Sequence, residues 1–378
     1  MNLNNISEFN GKDISLEVDL LSVGGPYFYF NMDDEDFYKL NIPLAFTDNS
    51  IRDYKPENYD VFFLIKKDVK ESEVVRLCKP NDNDTVGYLL PLLSLESAAH
   101  KFANDKNFLR YAFIAIQELF KRCNVNELMK EIDSNQEEYV ITDFLHDEIV
   151  ICIIYKIMLN VGDFSKIAPI LFKNGYIRAS SKQPNELQYN ITIEEDLKKI
   201  TLHQISPVIT EAPLIDKILH EQFPYEKNIA FKFFILYQII ELLMERVYNH
   251  FQSKVISELM LHRNDLNKSK EILSTIQDVS SEKRRLKALF TQFISNFENK
   301  NALKTACYGV NQRLIDSDIK DNKDFVEYFY PIRNYIVHNY RKFPENELNS
   351  LSTILDYFID ALPSMLSTYE ENDSIGEI

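Results

Sequence analysis

The chain has 378 residues, a length at which roughly 150 residues per domain gives two to three domains and a sizeable core. Hydrophobic residues make up 45% and charged residues 26%, which excludes a disordered tail or a fibre. The net charge of −16 argues against non-specific binding of nucleic acid or anionic membranes by the whole surface, and only 8 glycines argue against a doubly wound sheet with glycine-rich phosphate turns.

The first segment, MNLNNISEFNGKDISLEVDL, lacks the basic start and apolar core of a signal peptide. Residues 1–95 read as a mainly β module. Short or alternating apolar runs at Ile14–Leu21, Tyr27–Phe30, Tyr38–Phe46, Val61–Ile65, Val74–Leu77 and Val86–Leu93 are separated by Gly24-Gly25, Asp/Asn clusters and Lys79-Pro80-Asn81-Asp82. Residues 96–213 read as a mixed, mostly helical regulatory region. Leu109, Phe113, Ile116, Leu119 and Phe120 share a 3.6-period face, and Phe144–Leu159, apolar nearly all round, reads as a buried helix. Tyr176–Ala179 and Leu187–Ile193 look like a hairpin, and the stretch from Ile205-Ser206-Pro207 to Ala212-Pro213 looks like a linker.

From residue 214 to 378 the pattern is helical. Ile229, Phe233, Leu236, Tyr237, Ile240, Leu243, Met244, Val247, Phe251, Val255 and Leu259 mark a long amphipathic helix. Shorter helices are expected at 267–277 and 282–297, another from Asp324 to about Arg341, and a last one through Leu348, Leu351, Ile354, Leu355, Phe358, Ile359 and Leu362. Neither of the longest apolar stretches, Ile149–Val161 and Ile229–Met244, supplies the roughly 18 uncharged residues of a membrane span.

Cys78, Cys123, Cys152 and Cys307 have no paired short spacing, so no zinc site or disulfide framework is expected and a reducing cytoplasm fits. Asp143, His146, Asp147 and Glu148 form an acidic cluster without the two-histidine spacing of zinc hydrolases, and the expectation is a polar helix start without metal.

The segment that carries chemistry is Pro331-Ile332-Arg333-Asn334-Tyr335-Ile336-Val337-His338-Asn339-Tyr340. An Arg-Asn pair with a histidine four residues after the Asn arises by chance only about 0.02 times in a chain of this composition. On a helix, Arg333 and His338 point roughly 140° apart, so they do not easily converge on one phosphate, whereas Asn334 and His338 share a face. Two such helices packed about a two-fold axis would line one cleft with both pairs, which predicts a homodimer.

This motif, near the end of a helical bundle, resembles the signature of the HEPN superfamily, many of whose members are metal-independent ribonucleases. The helix containing Tyr237-Gln238 and Glu241 resembles the first long helix of such domains, and the likeness covers about residues 214–370. The fold class expected is therefore α+β and multidomain, ending in an all-α HEPN-like bundle over 214–378. The resemblance implies an endoribonuclease without cofactor, working in a composite dimer site, of the kind found in toxin and antiviral abortive-infection systems. Histidine exchanges a proton near neutral pH, which suits His338 to acid–base work on the 2′-hydroxyl. Arg333 offers a forked, permanently charged donor for the phosphate, and Asn334 a polar arm to orient the imidazole or touch the sugar.

Glu241 is a candidate support, and Tyr340 matches the extended pattern of HEPN toxins whose antitoxin modifies that tyrosine. Lys283, Arg284, Arg285 and Lys287 are candidates for tracking an RNA backbone. The expected partners are RNA, with tRNA among the candidates, a second copy of the chain, and an antitoxin or phage-derived trigger; no membrane is expected. The rival reading is an inactive HEPN-containing interaction or nucleotide-binding protein. The charge permits RNA: residues 1–220 hold 23 Lys+Arg against 35 Asp+Glu, whereas residues 221–355 carry a net +2.

Overall fold

The short apolar runs at the start of the chain form strands, and the 3.6-period runs at its end form helices, giving an α+β architecture. The computed structural model describes residues 7–9, 12–19, 27–32, 36–46, 55–122, 130, 138–179, 186–189, 198–294, 296–339 and 343–371. The chain divides into two compact units: residues 1–164 with 174–202, and residues 165–173 with 203–378.

In the first unit, strands β1 (Ser7–Phe9), β2 (Lys12–Asp19), β3 (Tyr27–Met32) and β4 (Asp36–Leu40) pair antiparallel in chain order. A second sheet holds β5 (Tyr59–Ile65), β6 (Val75–Cys78), β7 (Thr85–Pro91), β8 (Ile149–Tyr155), β9 (Ile177–Arg178) and β10 (Lys199–Thr201), in the order β10-β6-β7-β8-β5-β9. Within this sheet, among the described residues, β10 and β6 pair parallel and the other neighbours antiparallel. Helix α1 (Lys106–Arg122) packs on β2, β7 and β8, burying Leu109, Ala112, Phe113, Ile116 and Leu119.

The expected helix over Phe144–Leu159 is instead strand β8 at the centre of the larger sheet. Ile149 to Ile154 are all buried, because both faces of a central strand are covered and the polar alternation of a half-exposed strand disappears. The run Asp143–Glu148 accordingly leads into a strand, with the Asp143 carboxylate accepting the Val140 N–H at 2.8 Å. No group of described residues gathers three or more His, Cys, Asp or Glu as a metal would require. Gly87 in β7 sits so close to β8 that a Cβ there would lie 2.1 Å from the Ile153 carbonyl oxygen. Of the expected hairpin at Tyr176–Ile193, the first arm holds β9, which pairs antiparallel with β5, and residues 180–185 and 190–193 lie outside the described residues.

The second unit begins with α2 (Ala168–Lys173), then, after the excursion of 174–202 into the first unit, continues through α3 (Ala212–Lys217). Its scaffold is α4 (Ile229–Leu261), opened by Asn228, whose side chain accepts the Ala230 and Phe231 N–H groups. There follow α5 (Leu266–Ser280), α6 (Glu282–Ala288) extended by a π turn over Leu289–Phe293, α7 (Lys300–Leu314), α8 (Phe325–Asn339) and α9 (Leu348–Ser367). The sequence pattern did not single out α7, whose buried set is only Leu303, Cys307, Val310 and Asn311. An aromatic column joins α4, α8 and α9: Phe329 stacks on Phe325 and Phe358 and meets Phe233 and Tyr237. The expected linker before α3 is fastened down, with the Ile205 N–H donating to Lys166 O and the Ser206 N–H to Leu366 O. Among the described residues no helix is long and apolar enough to cross a membrane.

Candidate functional site

Helix α8 carries the Arg-Asn-x3-His motif. Its buried face is Phe325, Val326, Tyr328, Phe329, Ile332 and Ile336, so Arg333 and Asn334 emerge at the edge of the packed stripe. Pro331, inside the helix, contributes no N–H to the turn just before Arg333.

Arg333 is only 19% exposed and is turned towards α4 and α6. Its Nη2 lies 3.3 Å from Glu241 Oε1 and 3.1 Å from Glu282 Oε1, and its Nη1 donates to Asn334 Oδ1 at 3.1 Å. The guanidinium carbon stands 5.2 Å from the centre of the Tyr237 ring, a cation–π placement. Glu282, which opens α6, is the hub: it also accepts the Tyr237 hydroxyl at 3.1 Å and the Tyr330 hydroxyl at 3.4 Å. Burial, and then the Glu282 carboxylate, hold the Tyr237 phenol well above its ordinary pKa. The structure thus brings Arg333, Asn334 and Glu241 together.

His338 is placed differently. It is exposed on the last turn of α8, and no hydrogen bond or ion pair joins its side chain to Arg333, Asn334, Glu241 or any other described residue. Tyr340 lies outside the described residues. The four basic residues of α6 differ in their surroundings: Lys283 is paired with Glu327 at 2.8 Å, and Arg285 covers the Tyr248 ring, while Arg284 and Lys287 are exposed.

Comparisons with protein-family models, with curated proteins and with solved structures find no match.

One positive charge facing two carboxylates gives the Arg333 cluster a net negative charge when all three are ionised, so an incoming phosphate must compete with Glu241 and Glu282. Glu241 is 48% exposed and Glu282 25%, which makes Glu241 the easier of the two to displace into water. Sequence reasoning missed Glu282, Tyr237 and Tyr330 as neighbours of the motif. The available signal was a carboxylate at a helix start beside a basic run, a pattern more often explained by the helix dipole alone.

Proposed function

We propose that the protein is a metal-independent endoribonuclease of HEPN type that acts as a homodimer, in a toxin or antiviral defence role under control of its N-terminal half. The observation that carries this reading is the Arg333-Asn334-x3-His338 arrangement on one helix of a helical unit, with the arginine side chain oriented by Asn334, Glu241 and Glu282.

The reaction needs no external nucleophile. The ribose 2′-oxygen attacks the adjacent phosphorus, its proton passes to a base, the bond from phosphorus to the 5′-oxygen breaks, and that oxygen is protonated. The products are a 2′,3′-cyclic phosphate and a 5′-hydroxyl. His338 serves the proton transfers and Arg333 the charge on the phosphorane. Because the two side chains diverge on α8, the Arg333 of one protomer and the His338 of its partner meet the same phosphate in this scheme.

The test is cleavage of total RNA and tRNA by the purified chain in EDTA, with end mapping. His338→Ala is expected to lose about 10²–10⁴-fold in rate, and Arg333→Ala about 10²–10³-fold, each with the dimer intact by light scattering. A strict monomer, or cleavage indifferent to both substitutions, overturns the reading. A non-catalytic interaction or nucleotide-binding role is the second reading, favoured by the occupation of Arg333 by two carboxylates. It predicts that no RNA is cut while Arg333→Ala still lowers stability.

A further inference from the structure

A cavity of about 330 Å³ lies where the first turns of α1 meet the larger sheet, within the range of roughly 300–1,000 Å³ typical of small-ligand sites. Strand register builds it. Arg76 on β6 stands directly opposite Tyr88 on β7, and Tyr59 on β5 opposite Tyr155 on β8. Tyr88 pairs with Ile153, two residues before Tyr155, so the two-residue repeat of a strand puts Arg76, Tyr88, Tyr155 and Tyr59 on one face. Helix α1 lays Tyr111 on that face, 5.9 Å from the Tyr59 ring and 4.9 Å from Tyr88, and brings Arg110 to the same cavity.

The cavity therefore has a buried aromatic floor of Tyr59, Tyr88 and Tyr111, and a half-buried rim that includes Tyr155 and Phe102. Among the described residues, neither the Arg76 nor the Arg110 side chain has a hydrogen-bond or ion-pair partner. The carboxylate in the lining, Asp105, is already engaged, since its Oδ1 accepts the Asn107 and Phe108 N–H groups at 2.8 and 2.9 Å and caps α1. The lining keeps a positive balance.

We propose that this cavity binds a free nucleotide, its base against the tyrosine rings and its phosphate between Arg76 and Arg110. A bare phosphate would leave the aromatic floor uncovered, and an uncharged aromatic would leave two guanidiniums without an anion. A nucleotide answers both, because the guanidinium fork suits phosphate and every base offers a flat face for stacking. Thr85 and Asn107 add a hydroxyl and an amide for the sugar. Side chains do here what glycine-rich turns do in doubly wound folds, so the low glycine count is no obstacle.

The experiment is calorimetric titration of the full chain with the four common ribonucleoside triphosphates and monophosphates, and with adenosine and inorganic phosphate as the separate halves. At least one nucleotide is expected to bind one-to-one and at least tenfold more tightly than the nucleoside or phosphate alone. Arg76→Ala and Arg110→Ala should each weaken it at least tenfold, with Tyr155→Leu as a check on the aromatic half and circular dichroism confirming the fold of each variant. A single-stranded oligoribonucleotide should compete no better than the mononucleotide. No binding at millimolar nucleotide overturns the proposal. So does binding that survives both arginine substitutions, that phosphate or nucleoside alone matches, or that the oligonucleotide exceeds. The readout is binding, so it is independent of whether the chain cuts RNA.

Discussion

Around Arg333, burial decides which carboxylate matters for stability. Glu282 accepts from Arg333, Tyr237 and Tyr330 and is 25% exposed, whereas Glu241 is 48% exposed and meets Arg333 at the longer distance of 3.3 Å. Glu282→Ala leaves the buried Tyr237 hydroxyl without its acceptor, a loss of about 1–2 kcal/mol. Glu241→Gln removes a 3.3 Å pair whose carboxylate is half exposed, a loss of about 0.5 kcal/mol or less. Urea unfolding of the two variants should separate them in that order, and equal losses would refute the hub role of Glu282. The pair Arg313–Glu347 makes a pH-dependent prediction. Hydrogen bonds from Arg313, against the opposing effect of burial, hold the Glu347 carboxyl below its ordinary 4.5. A depressed folded-state pKa means the contribution is present above about 4.5 and is lost as pH falls through the lower folded value. Glu347→Gln should therefore be less stable than the parent near neutral pH and converge with it in acid. Because Arg313 is 50% exposed, the neutral-pH gap should stay near the surface-pair scale of about 1 kcal/mol. A gap that persists unchanged in acid would show that the ion pair is not its source.

Among the elements, β7 and β8 make the strictest demand. A methyl group at Gly87 would meet the Ile153 carbonyl oxygen at 2.1 Å, and backbone in the middle of a sheet has little room to retreat. Gly87→Ala is expected to cost more than about 2 kcal/mol, on the scale of overpacked cores, and a melting temperature equal to the parent's would show that the strands separate easily. The two strands also mark the limit of what periodicity can read. Strand β2 and helices α4, α8 and α9 are legible because one face of each reads apolar and the other polar, and β5 to β7 because turn residues bound their short apolar runs. A strand covered on both faces, such as β8, has the same uniform apolar signature as a buried helix, and its six-residue apolar run Ile149–Ile154 reads equally as one. Helix α7 escaped for the opposite reason, since it buries too few side chains to mark a stripe. At the candidate site, the motif on α8 was legible as local spacing. Glu282, Tyr237 and Tyr330 come from three different positions along the chain and meet only through the packing of α4, α6 and α8, which local spacing does not report.

At the scale of the molecule, the chain enters the second unit at 165–173, leaves it, and returns at 203, so a contiguous C-terminal piece is not a complete unit. Helix α2, the part left behind, is nearly all interior: Ala168, Pro169, Ile170, Leu171 and Phe172 are buried. Phe172 meets the rings of His220 and Phe223 at 5.7 and 5.4 Å, the fully buried His220 reaches Ala168 O at 3.2 Å, and α2 packs on α9. At about 1.5–3 kcal/mol for each large side chain returned to water, the loss of α2 approaches the whole stability of an ordinary domain, about 5–15 kcal/mol. A fragment of residues 203–378 should therefore melt without cooperativity or aggregate. The same fragment with 165–173 joined to its start through a flexible linker should recover a cooperative transition, because α2 supplies contacts that do not depend on the intervening residues. Thermal melts followed by circular dichroism decide the matter, and a cooperative melt of 203–378 at the parent's temperature would show that α2 is dispensable. The same comparison governs any attempt to isolate the candidate site on α8, since α9 and α4 pack against each other and α9 also rests on α2. RNA cleavage should thus be assayed on the linked fragment or the full chain, and inactivity of 203–378 alone would carry no weight against the ribonuclease reading.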